Sequence, residues 1–143
     1  MTRRLTARNP RTGAHDYAFD AAEAADVAEI AARLRAAQKD WGALALEARC
    51  AALEAFRQAI LRHAGPIAAA LAVDTGRRRI AGMEVFGVAG GMAGWIAQAP
   101  HLLHQGWTQG RSNPAIRHSV QWEPFRLVGV ISPWNFPFLL SFI

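Results

Sequence analysis

Apolar positions recur along the chain with two different periods, and each change of period marks a new element. Leu5-Thr6-Ala7 and His15 to Phe19 are short segments on either side of Asn9-Pro10-Arg11-Thr12-Gly13, whose Asn, Pro and Gly suit a tight reversal; they predict a small hairpin. Asp20 and Glu23 have the spacing of a capping box, after which Val27, Ile30, Ala31, Leu34 and Trp41 follow the helical repeat up to Gly42. A second helix begins near Leu46, with Cys50, Leu53, Phe56, Ile60 and Ala64 on one stripe, and Gly65-Pro66 breaks or re-caps it. Ile67, Leu71 and Val73 carry the pattern on to Asp74-Thr75-Gly76. Two or three helices packed on one another are expected. Gly106 to Asn113 is polar and glycine-bearing, which predicts a loop. Ile116, His118, Val120 and Trp122 then alternate with Arg117, Ser119, Gln121 and Glu123, the period of a strand with one buried face, ended by Pro124. Leu127 to Ile131 is an unbroken Val- and Ile-bearing run, as in a parallel strand covered on both faces. Ser132 to Pro137 is a turn, and Phe138 to Ile143 opens a helix, so that strand, turn and helix form the start of a βα unit.

Ile80 to Ala99 is long and apolar, with Glu84 as its one charge and three arginines before it, and so has features of a membrane span. Its glycines at 82, 87, 90, 91 and 94 lower its transfer free energy and equally suit close helix packing in a water-soluble core, which is the reading preferred here. Glu84 reads as a charge on a helix face and Glu123 as an ordinary strand residue. Neither G-x-G-x-x-G nor the phosphate-loop pattern occurs among these glycines.

At 143 residues, 52% hydrophobic and 19% charged, the chain has the composition of one globular domain. The net charge of +5 is scattered, and no basic run interleaved with aromatics accompanies it, so nucleic-acid binding is not signalled. Cys50 is the single cysteine, which rules out an intramolecular disulfide and makes a reducing, cytoplasmic location the default; no secretory signal is visible. Cys50 sits on an apolar helical stripe and reads as a small core residue. His101 and His104 have metal-compatible spacing but no third ligand nearby, and no metal site is expected.

The run Leu127-Val128-Gly129-Val130-Ile131-Ser132-Pro133-Trp134-Asn135-Phe136-Pro137 closely resembles the segment with which the aldehyde dehydrogenase superfamily opens its dinucleotide-binding domain. The resemblance extends in order through the Asn9-Pro10-x-Thr12-Gly13 turn, the helix ending in Asp74-Thr75-Gly76 where the family commonly has Glu-Thr-Gly-Lys, and the Val120-x-Trp122-Glu123-Pro124 lead-in. Arg77 stands in place of the family's lysine, a departure expected to fall in a surface loop away from the chemistry.

What the resemblance implies is an α/β fold: an N-terminal helical layer plus the opening strand and turn of a Rossmann-like parallel sheet, truncated. It divides the chain into hairpin and helices over 1–114, an oligomerisation-type strand over 115–124, and the start of a dinucleotide-binding domain over 125–143. The implied reaction is oxidation of an aldehyde to a carboxylic acid with NAD or NADP, in an enzyme that is a homo-oligomer when complete. Asn135 is the implied catalytic residue, its side-chain amide donating to the oxyanion formed when a cysteine thiolate attacks the aldehyde. Ile131, Ser132, Pro133 and Trp134 are implied to line the cofactor cleft, at the carboxyl end of the first strand. In the family's order the nucleophile, the general base and the glycine-rich pyrophosphate segment come later than residue 143, so the chain by itself is expected to be inactive. Two rival readings are a non-catalytic protein that pairs with intact dehydrogenase subunits through its 116–122 strand, and a small membrane protein built on 80–99.

Overall fold

The computed structural model describes residues 3–103 and 106–142. The fold is mixed α/β but mostly helical, in the order β1 (Arg4–Arg8), β2 (His15–Asp20), α1 (Ala24–Ala43), α2 (Leu46–Arg62), α3 (Ala64–Thr75), α4 (Arg78–Leu102), β3 (Trp107–Gln109), β4 (Arg117–Ser119) and α5 (Leu139–Phe142). Its strands make two separate antiparallel ribbons, β1-β2 and β3-β4.

The hairpin forms where the turn residues place it. Asn9 Oδ1 accepts the backbone N–H groups of Arg11 and Thr12 at 3.0 and 3.2 Å, and Gly13 takes φ 76°, a region that costs a glycine little. Register runs from Arg4 opposite Asp20 to Arg8 opposite His15, with one irregularity between Ala7 and Arg8. The first helix starts a turn later than Asp20 suggests: Glu23 is its N-cap, and the Glu23 N–H donates to Asp26 at 2.8 Å.

Helices α2, α3 and α4 form the core, in which Ile60, Leu71, Ala81, Val85, Val88 and Met92 are buried together. Each of these side chains larger than alanine contributes roughly 1.5–3 kcal/mol by leaving water. The α2–α3 boundary falls at His63, and Pro66 sits within the first turn of α3, where its missing N–H costs no helical bond. Gly76 ends α3 in the left-handed region at φ 68°, and α4 begins two residues later. By length and composition α4 could cross a membrane; its inward stripe, Ala81, Glu84, Val85, Val88, Ala89 and Met92, is the spine of the core.

Several expectations need correction. The apolar stripe of α1 is present, yet no residue of α1 is buried, and Val27, Ile30 and Leu34 remain exposed. The segment expected as a loop after Gly106 contains β3, which pairs Trp107 with Ser119 and Gln109 with Arg117. The strand expected over 115–124 shortens to three residues, and its apolar face, Ile116, Val120 and Trp122, is not buried. Leu127 to Ile131 forms no ladder, and Val128, Val130 and Ile131 are exposed. For β3 the reason is its pairing with β4; for α1, the apolar face over 116–122 and Leu127 to Ile131 it is the converse, since a one-sided apolar face or a lone strand gains its burial and its backbone hydrogen bonds only from a neighbour, and none covers them among the described residues.

Candidate functional site

The Ser132–Phe138 turn is held from below by its own sequel. Phe138 and Leu139 pack against the core, and the Phe138 ring meets Phe142 edge-on with centroids 5.2 Å apart. Phe142 in turn lies 5.9 Å from Phe56 of α2. The Ser141 hydroxyl donates to the Pro137 carbonyl at 2.7 Å and is hydrogen-bonded to the Ser132 hydroxyl, which ties the entry of the turn to α5. Leu140 N–H donates to the Phe136 carbonyl at 3.2 Å, closing the first helical turn.

Two residues from the α3–α4 corner also reach the turn. The Arg77 guanidinium donates to the main-chain carbonyl of Asn135 and lies over the Phe136 ring, 4.2 Å from its centroid. Glu84 is only 1% exposed, and its Oε2 accepts the N–H groups of both Phe138 and Leu139 at 3.2 Å each. These contacts overturn the sequence readings of both residues: Arg77 is not confined to a surface loop, and Glu84 is not a solvated helix-face charge. Burial of a carboxyl group is costly unless it is hydrogen-bonded, and here both bonds fall on Oε2, while the buried Oε1 has no partner among the described residues. The signal that could have revealed Glu84 is its isolation as the one acid of an apolar stripe, flanked at helical spacing by Ala81 and Val88.

Among the residues singled out from sequence, Asn135 is half-buried; its carbonyl is engaged by Arg77 while its carboxamide has no hydrogen-bond partner among the described residues. Ser132 and Pro133 are half-buried, Ile131 is 100% exposed and Trp134 83% exposed. The turn therefore presents an unengaged amide beside two bare apolar surfaces. Cys50 is elsewhere, half-buried in an apolar groove with Trp41, Leu53, Trp95 and Leu103. His101 is exposed in the last turn of α4, and His104 lies outside the described residues. Among the described residues no group of three His, Cys, Asp or Glu side chains is placed to hold a metal.

Compared with known proteins, residues 1–143 match the aldehyde dehydrogenase family. The chain is 33% identical over 119 residues to a protein of Mycolicibacterium smegmatis assigned as an NADP(+) succinate-semialdehyde dehydrogenase, covering 82% of this chain and 23% of that protein. It is 31% identical over 138 residues to the N-succinylglutamate 5-semialdehyde dehydrogenase of Burkholderia ambifaria, covering 93% and 27% respectively. A solved chain from Anabaena variabilis, assigned as the aldehyde dehydrogenase PutA, superposes with a TM-score of 0.88 at 37% identity over 97% of this chain and 30% of that one. The chain thus spans between a fifth and a third of the length of these proteins.

Proposed function

The chain belongs to the aldehyde dehydrogenase family, and from that premise we propose that it supplies the oxyanion-binding turn of an enzyme oxidising an aldehyde to a carboxylic acid with NAD or NADP. The observation that carries this reading is the state of Asn135: its backbone is fixed by Arg77 while its carboxamide is left unengaged among the described residues. As a thiolate elsewhere in the complete protein adds to the aldehyde carbon, negative charge collects on the former carbonyl oxygen. The Asn135 NH₂ donates to that oxygen, and because the turn is already ordered the donor needs no reorganisation as the charge develops. Pro133 and Pro137 restrict the backbone on either side, which lowers the entropy lost in holding the amide.

Ile131, Ser132, Pro133 and Trp134 are proposed to form one wall of the cofactor cleft. The bare faces of Ile131 and Trp134 suit the flat rings of a dinucleotide, and the adjoining Ser132 hydroxyl offers a polar group at the rim. When bound, the nicotinamide supplies the acceptor for the aldehyde's hydride. The unpaired Leu127 to Ile131 run is proposed as the first strand of a Rossmann-like parallel sheet completed by the rest of the protein, and the exposed 115–124 segment as a pairing edge in a homo-oligomer. A family match along the whole chain favours neither a separate membrane role for 80–99 nor a purely non-catalytic pairing role.

The test is Asn135→Ala in the complete protein. Loss of one such donor is expected to lower kcat by about 10²–10³, equivalent to ~3–4 kcal/mol of barrier, with a much smaller change in KM for the aldehyde. Undiminished turnover would overturn the reading.

A further inference from the structure

We infer that Arg77 and Glu84 are positioning residues that clamp the Asn135 turn from the α3–α4 corner; the inference rests on the role proposed for Asn135. The two residues are seven positions apart, two helical turns, and therefore lie along one side of the start of α4. Arg77 engages the turn at Asn135 and Phe136, and Glu84 engages it at Phe138 and Leu139. Pro137 lies between the two holds and cannot donate a backbone N–H of its own. The backbone is thereby fixed on both sides of the residue that most restricts it, immediately after the donor amide.

The corner itself is built to aim Arg77. Thr75 Oγ1 donates to the Leu71 carbonyl at 2.6 Å and accepts the Arg77 N–H at 3.2 Å, while Gly76 reverses the chain with φ 68°. The Arg77 guanidinium suits its task because it is planar and carries several donors: it donates to a carbonyl while its carbon lies over the Phe136 ring, a double engagement that the compact lysine ammonium reproduces less well. Among the described residues neither Arg77 nor Glu84 forms an ion pair, and the polar contacts of each go to the turn rather than to a counter-ion. A leucine at position 84 would suit the surrounding Ala81, Val85 and Val88 better by burial alone. What the carboxylate adds is a fixed pair of backbone bonds at one place in the turn. The clamp touches no reacting atom; it sets where the Asn135 carboxamide can be.

The experiment is a variant series in the complete protein, read by steady-state kinetics and by hydrogen exchange of the peptide covering 136–141. Arg77→Ala is expected to lower kcat about 10-fold or more, the scale on which misplacing a catalytic group acts, with KM for the aldehyde nearly unchanged. Arg77→Lys should recover part of the loss and Glu84→Gln, which keeps an acceptor oxygen, most of it relative to Glu84→Ala. In an Asn135→Ala background, Arg77→Ala should lower kcat no further, because the group it positions is gone. Exchange across 136–141 should quicken in Arg77→Ala and Glu84→Ala and stay close to wild type in Glu84→Gln. Losses that multiply in the double variant, or exchange that is the same in every variant, would overturn the clamp. Full turnover by Asn135→Ala alone would instead remove the catalytic reading beneath it, with the exchange data still judging the contacts themselves.

Discussion

Tyr17 is the single tyrosine of the chain, and its hydroxyl donates to the Asp74 carboxylate at 2.9 Å, joining the hairpin to the end of α3. The hydrogen bond to Asp74, followed by partial burial and the charge of the same carboxylate, raises the phenol above its ordinary 10.0, because each favours the protonated form. The contribution of this bond to stability is therefore complete below the unfolded value near 10.0 and is lost as pH rises through the higher folded value. An absorbance titration at 295 nm of the 143-residue chain should place the tyrosinate midpoint above 10.0, and Asp74→Asn should bring it down. A wild-type midpoint at or below 10.0 would contradict the contact. The Glu54 carboxyl behaves oppositely, lowered to about 2 by its hydrogen bonds with Arg57 and Gln58, so this half-buried pair persists well into acid and loosens only as pH falls toward that value.

Among the elements, α4 is the one against which α2, α3 and α5 pack, and its glycines differ in what surrounds them. A Cβ on Gly87 would stand 2.9 Å from Leu139 Cδ1, whereas one on Gly90 would meet nothing within 4 Å. Gly90→Ala should therefore gain up to ~1 kcal/mol from helix propensity. In Gly87→Ala the same gain is offset by overpacking of ~1–3 kcal/mol, and Leu139 must turn away or α5 must lift. Thermal unfolding followed by circular dichroism should show a higher Tm for Gly90→Ala and an unchanged or lower one for Gly87→Ala; equal gains would mean that the Leu139 side chain yields to the added methyl without cost. The same distinction explains how much could be read in advance. The hairpin, the helical spans and the Ser132–Pro137 turn were legible because Asn9, Gly13, Pro66, Gly76 and the prolines of the turn act on their immediate neighbours. The holds of Arg77 and Glu84 on the turn were not, since their partners lie 58 and 54 or more positions away and only packing brings them together. β3 escaped for a similar reason: Trp107-Thr108-Gln109 has no period of its own and becomes a strand through pairing with β4.

For the molecule as a whole, the accessible surface is 11111 Å². A compact monomer of 15.6 kDa would expose roughly 7,000–7,500 Å² by the usual scaling, so this chain shows about half as much again. Large apolar side chains stand exposed across it, from the open stripe of α1 through Trp107 and Trp122 to Phe125, Ile131 and Trp134. Surface of that kind is what the remainder of a longer aldehyde dehydrogenase, or another subunit, would cover. The 143-residue chain on its own should consequently self-associate, eluting early or broadly from a sizing column and binding a hydrophobic dye such as ANS; a monodisperse monomer with no dye signal would show that these faces are tolerated in water.

The spacing of Arg77 and Glu84 along the chain has a bearing on how this segment can vary. One residue inserted in the first two turns of α4, between Arg78 and Glu84, would rotate Glu84 by ~100° about the helix axis relative to Arg77, so that the two could no longer reach the same turn. Length polymorphism is thus barred from the first turns of α4, while the stretch between Gly110 and Ile116, exposed along nearly all its length, leaves room for additions and losses without disturbing the donor amide.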